Sequence, residues 1–360
     1  MEDIKNSRER ITEIDREMAR LFEERMEAAK EIAAYKKERG LPVKDEAREE
    51  YLLCKNAGYI SDPTVKEYYY SFQKNIMELS CNYQQRLNQG MRIAYSGVPG
   101  AFAYIAAKKM FPGANYISFG SFEEAYEATE KGETDAAVLP VENSFAGDVG
   151  DVMDLMFKGS LYVNRVVDID VVQNLLAADG ATVRDIKKVI SHPQALAQCK
   201  DYIKAHNFET EVSSNTALAA GYVKDLNDKS VAAIASAETA AIYGLNVIES
   251  SVNTSRSNTT RFACFSRIQN KPNSPVKKSN EHFILVFTVK NEAGALAKTL
   301  NIIGAHDFNM KSLRSRPMKN LMWNYFFYLE AEGCVNTPDG QDMLRELGAL
   351  CADMKLVGTY

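Results

Sequence analysis

The six cysteines of this 360-residue chain lie far apart, and no two of them form a Cys-x-x-Cys pair. That spacing excludes the common zinc motifs and a dense disulfide framework, and it is typical of reduced thiols. The N-terminal residues are charged rather than apolar, and no apolar run is long enough to span a bilayer. A net charge of −5 gives no reason to expect nucleic-acid binding. We therefore expect a cytoplasmic protein with no metal, no membrane segment and no nucleic-acid partner.

A dinucleotide-binding loop is also missing. Gly97 follows a strand-like segment and precedes a helical one, but the motif is Gly-x-x-Gly with Pro99 inside it. A dinucleotide fingerprint requires Gly-x-Gly-x-x-Gly at that place. We therefore expect no cofactor and disfavour a nicotinamide-dependent dehydrogenase.

The chain is long enough for two or three domains. Its composition changes twice, which predicts a helical domain over 1–90, an α/β domain over 91–268, a polar linker over 269–281 and an α+β domain over 282–360.

The first predicted helix contains no proline or glycine from Ile4 to Arg39, and its apolar residues follow a heptad. A helix of this length spans about 50 Å, too long for a small domain to cover, so a partner helix is implied. Further helices are predicted near Asp45 and from Asp62-Pro63 to about Leu87, where an N-cap is followed by proline.

Arg25 occupies a seam position of that heptad, where a buried cation needs an anionic partner. The partner is either a glutamate on a neighbouring helix or a bound anion. Other polar residues of the three helices suit a pocket for a small polyanion in an intertwined dimer: Arg8, Lys36, Asp45, Arg48, Glu49, Ser80 and Gln84.

The spacing of these residues over 1–88 closely resembles the all-helical chorismate mutases. The resemblance implies that Arg8, Arg25 and Arg48 hold the two carboxylates of chorismate. It implies that Lys36 and Gln84 bind the ether oxygen, and that Asp45, Glu49 and Ser80 contact the hydroxyl or order the pocket. The implied reaction is the pericyclic rearrangement of chorismate to prephenate, driven by conformational restriction and charge stabilisation.

Residues 92–268 alternate short apolar strands with helices, which predicts a mostly parallel α/β sheet. Polar residues gather at strand ends, where such sheets bind ligands. The stretch Ser257–Phe262 is the most concentrated of them, and by itself it also fits a surface turn. His192 fits either a general base or a structural residue at a helix start.

Four segments together resemble prephenate dehydratases: 97–102, 140–144, 191–199 and 260–262. The resemblance implies two lobes like those of periplasmic binding proteins, with the chain returning to the first lobe near residue 250. It implies loss of water and carbon dioxide from prephenate to give phenylpyruvate, with the Thr260 hydroxyl essential. Substrate contacts are then expected from Glu142, Asn143, Ser144, Ser191, Asn258, Thr259, Arg261 and Phe262.

Residues 282–360 show a βαββαβ pattern. They resemble the ACT regulatory domain of phenylalanine-sensitive dehydratases. Where those domains usually have a glutamate, this chain has Arg314. The alternative is a dimerisation module without a ligand. The resemblance implies an effector site for phenylalanine between two such domains, formed by Gly294, Ala295, Leu296, Arg314, Ser315, Arg316 and Pro317.

The combined prediction is a bifunctional enzyme of phenylalanine synthesis, acting on chorismate and prephenate as a homodimer or higher homo-oligomer. Two alternatives stay open: a dehydratase that uses arogenate, and a non-enzymatic ligand-binding sensor with a vestigial mutase arm.

Overall fold

The structure is a computed structural model that describes residues 2–255, 257–269, 281–318 and 324–360. Residues 270–280 of the predicted linker lie outside the described residues. Trp323, at which a strand of the C-terminal domain is predicted to begin, also lies outside them. The chain divides into two compact units, 1–92 and 93–360. No helix in the described ranges is long and apolar enough to cross a membrane.

The first unit consists of α1 (Glu2–Glu38), α2 (Glu46–Ala57) and α3 (Pro63–Gln89). Its helix starts are those that the sequence predicts. Asp45 caps α2 by accepting from Arg48 N at 3.0 Å, and Asp62 caps α3 by accepting from Thr64 N at 2.8 Å.

Most of the heptad seam of α1 is exposed within the first unit. Ile4, Ile11 and Ile32 are 60%, 58% and 49% exposed, whereas the buried residues of α1 are Ala29 and Ala33. Only part of this long helix therefore packs within one chain, and the predicted partner helix is not supplied by α2 or α3.

The second unit contains a first α/β lobe whose sheet has the order β2-β1-β3-β11-β5, with β4 paired to β3. Its strands are β1 (Arg92–Ser96), β2 (Asn115–Phe119), β3 (Ala136–Asn143), β4 (Gly147–Asp148), β5 (Tyr162–Asp170) and β11 (Thr259–Ser266). Its helices are α4 (Phe102–Met110), α5 (Phe122–Glu130) and α6 (Gly150–Lys158).

The second lobe has a sheet of order β10-β6-β9-β7-β8. Its strands are β6 (Asn174–Ala177), β7 (Lys188–Ser191), β8 (Glu209–Val212), β9 (Val231–Ala235) and β10 (Asn246–Glu249). Its helices are α7 (Pro193–Gln198), α8 (Lys200–His206), α9 (Thr216–Leu226) and α10 (Ala237–Tyr243).

The chain crosses between the lobes at 171–173 and returns at 250–258, as the sequence predicts. The two crossings are bonded together: Gln173 N donates to Asn253 Oδ1 at 2.7 Å, and Val252 N donates to Gln173 O at 2.9 Å. The prediction of a mostly parallel sheet is wrong for both lobes. In the first lobe, the returning strand β11 runs antiparallel between β3 and β5. In the second lobe, β6 runs antiparallel to both β10 and β9.

The C-terminal residues form the predicted βαββαβ fold with the ferredoxin-like order β13-β14-β12-β15, antiparallel throughout. Its elements are β12 (His282–Thr288), α11 (Ala295–Ala305), β13 (Asn309–Pro317), β14 (Tyr325–Glu332), α12 (Pro338–Leu350) and β15 (Met354–Thr359).

This C-terminal fold is joined to the first lobe. Strand β15 pairs in parallel with β5, with Gly358 opposite Val163, so one sheet runs through both folds. The rings of Phe157 and Phe326 stack at 4.5 Å, within a hydrophobic core that both folds share.

Candidate active sites

Arg25 in the first unit contacts a hydroxyl and a carbonyl. Its Nη1 donates to Ser80 Oγ and, over 3.2 Å, to Ile76 O. Burial lowers the pKa of Arg25, and its partners in the described part of the chain include no carboxylate. A half-buried guanidinium without a counter-ion is a site for an anion, which favours a bound ligand over the glutamate alternative.

Further predicted residues lie around the neighbouring thiol of Cys81. Its Sγ donates to Glu49 at 3.2 Å, and burial together with Glu49 raises the pKa of Cys81 to about 11, so the thiol stays protonated at neutral pH. Lys36 Nζ donates to Val43 O at 2.5 Å. Gln84 is buried, and its Oε1 has no hydrogen-bond partner within the residues that the structure describes. The sequence reasoning missed Cys81, which carries no motif of its own.

Three predicted mutase residues are placed differently. Asp45 caps α2, and Arg48 is exposed beside the ring of Tyr51 at 5.5 Å. Arg8 is exposed on α1, 17 residues before Arg25 and so roughly 25 Å from it. One chain therefore does not bring Arg8 to the Arg25 pocket.

A cleft of about 270 Å³ opens between the two α/β lobes. Amides and hydroxyls line it, and none of its described lining residues is Asp, Glu, Lys or Arg. Its polar lining residues are Ser96, Asn143, Gln173, His192, Gln194, Gln198, Ser214, Asn215, Thr216 and Thr260.

The Thr260 hydroxyl is held at the wall of this cleft by Asn143. The backbone N–H groups of Phe145 and Ala146 donate to Asn143 Oδ1 at 3.0 and 2.8 Å, which turns Nδ2 toward Thr260. Asn143 Nδ2 then donates to Thr260 Oγ1 at 2.8 Å. Because this oxygen accepts from the amide, its own hydrogen is left to donate into the cleft.

Asn258 lies on the other side of the same amide. Its Oδ1 accepts from Asn143 Nδ2 at 2.9 Å, while its own Nδ2 is buried with no partner in the described ranges. Ser144 and Thr259 connect the segment that contains Asn143 to the segment that contains Asn258, because Ser144 Oγ accepts from Thr259 N at 2.9 Å. Phe262 is buried against the cleft.

Six residues that were predicted as substrate contacts do not line the cleft: Glu142, Ser144, Ser191, Asn258, Thr259 and Arg261. Residue 260 lies in a strand rather than a loop, so its neighbour Arg261 points to the opposite face. Arg261 pairs with Asp168 at 3.1 Å, and Ser191 donates to Ile234 O at 2.5 Å inside the second sheet.

Two cleft residues were missed by the sequence reasoning as site residues, Gln173 and Gln198. Both are buried, and Gln173 Nε2 donates to Gln198 Oε1 at 3.2 Å. Gln173 Oε1 has no partner among the described residues. Gln173 lies in the sequence between the apolar pairs Val171–Val172 and Leu175–Leu176, which was the available signal.

Comparisons with known proteins cover both units. Family models described as "Chorismate mutase type II" and "Prephenate dehydratase" match residues 7–85 and 93–270. The chain is 30% identical to a bifunctional chorismate mutase/prephenate dehydratase of Neisseria gonorrhoeae, over 98% of this chain and 95% of that protein. The chain belongs to the bifunctional chorismate mutase/prephenate dehydratase family. As a member of it, the chain is an enzyme that converts chorismate to prephenate and prephenate to phenylpyruvate.

Two further relatives resemble only the larger unit of this bifunctional chain. An arogenate dehydratase/prephenate dehydratase of Arabidopsis thaliana is 32% identical, over 75% of this chain and 72% of that protein. A prephenate dehydratase of Arthrobacter aurescens solved in complex with L-Phe has a TM-score of 0.68 and 26% identity, covering 75% of this chain and 89% of that one.

The predicted effector residues of this family member fall into two groups. Gly294 caps α11 with a φ of 80°, and Leu296 lines a small cavity with Asn291 and Glu292. On β13, Ser315 and Pro317 are exposed. Arg314 and Arg316 instead form ion pairs with Glu142, Asp148 and Asp154 of the first lobe.

Proposed function

We propose that prephenate loses water and carbon dioxide in the cleft beside Thr260, with the Thr260 hydroxyl as hydrogen-bond donor to the departing ring hydroxyl. The observation that carries this is the Asn143 amide, which occupies an acceptor site on Thr260 Oγ1 and leaves its hydrogen for the substrate. The bond from the ring to its carboxylate breaks, its electron pair enters the ring, and the C–O bond breaks so that the hydroxyl leaves as hydroxide, hydrogen-bonded by Thr260, and takes a proton from solvent to become water. A threonine is a weak acid, so its contribution is stabilisation of the leaving oxygen.

The carboxylates of prephenate would be held by neutral donors. The cleft contains the first turn of α4, where Ala101 gives no side-chain cap and the N–H groups of the helix N-terminus are available. Such a terminus binds anions through its N–H groups and its dipole.

The experiment replaces Thr260 by valine, which keeps the shape and removes the hydroxyl. Phenylpyruvate formation from prephenate should be abolished, while the rate of prephenate formation from chorismate stays unchanged in the same preparation. Thr260→Ser is the matched control and should keep measurable dehydratase activity. An active valine variant would contradict the proposal.

Chorismate would bind at Arg25, with Lys36 and Gln84 toward the ether oxygen and Glu49 and Ser80 around the hydroxyl. The long exposed seam of α1 and the distance to Arg8 support a homodimer in which Arg8 comes from the second copy.

Phenylalanine is proposed as the feedback effector, bound between two C-terminal folds near Gly294, Ala295 and Leu296. The Arthrobacter aurescens relative was solved with L-Phe. The edge strand β13, with Leu313 39% exposed, supports contact with a second copy there. The six cysteines are all free thiols, which supports a cytoplasmic location.

Arogenate is the second candidate substrate, because the Arabidopsis thaliana relative carries both activities in its name. The unpartnered acceptor Gln173 Oε1 in the cleft suits an ammonium group, which arogenate has and prephenate lacks. Comparing kcat/KM for the two substrates, in wild type and in Gln173→Leu, tests this. A preference that the variant leaves unchanged would exclude Gln173 from substrate choice.

A further inference from the structure

Arg314 of the C-terminal fold is bound to both strands of a hairpin in the dehydratase lobe. Its Nη2 lies 2.7 Å from Glu142 Oε1, and its Nη1 lies 2.9 Å from Asp148 Oδ1. Glu142 on β3 and Asp148 on β4 are directly paired across this hairpin. The side chain of Arg314 is only 18% exposed, so solvent screens these pairs less than pairs at an open surface.

The turn of the same hairpin fixes the direction of the Asn143 amide. Asn143 pairs with Gly147, and the two N–H groups that hold its Oδ1 belong to Phe145 and Ala146 in the turn. The spacing of the two strands therefore determines where Asn143 Nδ2 points. That nitrogen is the donor to Thr260 Oγ1.

We infer that Arg314 is a positioning residue for the dehydration, acting through the β3–β4 hairpin and Asn143 on the Thr260 hydroxyl. The inference rests on the proposed role of Thr260. The planar guanidinium presents Nη1 and Nη2 to the two carboxylates in a fixed geometry, which the compact, rotatable ammonium of a lysine does not.

The test uses the full-length enzyme with Arg314→Met and Arg314→Lys. We expect Arg314→Met to lower the dehydratase kcat about tenfold, the effect of about 1.4 kcal/mol, with little change in KM. The lysine variant should lie between it and wild type. The matched control is Lys355→Met, because Lys355 also contacts the first lobe, donating to Met156 O at 3.2 Å, but does not touch the hairpin. It should keep the wild-type kcat even if the thermal unfolding midpoint falls.

A double-mutant cycle separates the effect of the Arg314 ion pairs on kcat from their effect on general stability. Glu142→Gln should lower kcat in the wild-type background and have no further effect in the Arg314→Met background, because the two residues form one interaction. If Arg314→Met does not fold, the double variant Glu142→Gln with Asp148→Asn removes the same pairs from the lobe side and should show the same loss.

Either of two results would overturn the inference: a kcat of Arg314→Met within about twofold of wild type, or an equal loss of kcat in Lys355→Met. The Thr260→Val variant separates this from failure of the proposed function. If the valine variant is inactive and Arg314→Met is normal, only the positioning role fails. If the valine variant is active, the proposed site itself is wrong.

Discussion

The amide of Asn143 and the hydroxyl of Thr260 lie 2.8 Å apart, and the amide is the donor. The two residues are 117 positions apart in sequence and meet because β11 pairs with β3. This single direction of donation leaves the threonine hydrogen for the substrate.

Reversing that direction should inactivate the dehydratase. In Asn143→Asp, a carboxylate oxygen would accept the Thr260 hydrogen and keep it from the leaving hydroxyl. We expect the dehydratase kcat to fall about 100-fold or more, since well-placed donors contribute that much. Steady-state rates on prephenate measure this, with the mutase rate as the control; a wild-type rate on prephenate would contradict the assigned direction.

Arg25 should be needed for the mutase alone. Arg25→Met removes the half-buried cation and should lower prephenate formation about 100-fold or more, while phenylpyruvate formation from added prephenate is unchanged. Arg20→Met is the control on the same helix, since Arg20 is exposed and pairs with Glu17 at 3.0 Å. Equal losses in the two variants would mean that Arg25 acts only on helix stability.

Mixing two inactive variants should restore mutase activity if the site is shared between copies. Arg8→Ala and Arg25→Ala each damage every site of their own dimers, but a mixed dimer has one site with both arginines. After unfolding and refolding an equimolar mixture, about one quarter of the wild-type rate is expected. No recovery, despite mixed dimers seen by native mass spectrometry, would place both residues in one chain's site.

Gly358 should tolerate no side chain. A Cβ at Gly358 would lie 1.9 Å from Val163 O at the junction of β15 and β5, so Gly358→Ala should cost about 1–3 kcal/mol of stability or prevent folding. Gly348→Ala on α12 is the control: the nearest atom is 3.8 Å away, and the helix should gain about 0.5–1 kcal/mol. Denaturant unfolding of both variants measures the difference, and a neutral Gly358→Ala would show that the junction opens easily.

His306 should make stability depend on pH. Its Nδ1 lies 2.7 Å from Asp339 Oδ1, and this hydrogen bond raises the pKa of His306 above its ordinary value, with Glu346 adding to it. The folded state therefore binds the proton more tightly, so the stabilisation is complete below pH about 6.5 and is lost as the pH rises through the folded-state pKa.

The measurement is the thermal midpoint at pH 6 and pH 8.5 in wild type and His306→Gln. The decrease toward higher pH should be smaller in the variant. An equal decrease in both would assign the pH dependence to other groups.

Local features could be predicted from the sequence. The helix start near Asp45, the cap at Asp62, the long α1 and the βαββαβ order depend on neighbouring residues, and the structure confirms them. Thr260 and Asn143, which the resemblance assigns to the dehydratase site, both line the cleft between the lobes.

Long-range pairing could not be predicted in the same way. The resemblance assigned Arg261 to the substrate, but β11 begins at Thr259, and a shift of one residue along a strand decides which face a side chain takes. The register between β11 and β3 shifts between Arg261, which pairs with Glu142, and Phe262, which pairs with Pro140. This bulge further changes which β3 residues face the cleft. The partners of Arg314 lie in another fold, and no local pattern encodes them.

The pairing of β15 with β5 limits how the C-terminal fold can move. A domain connected only by a linker can rotate freely. Here the last strand of the C-terminal fold is paired with the catalytic sheet, where Gly358 lies opposite Val163. Any rotation of that fold must twist the shared sheet, and β11, which carries Thr260, lies directly beside β5. Twisting of this continuous sheet therefore connects movement of the C-terminal fold to the strand that carries Thr260.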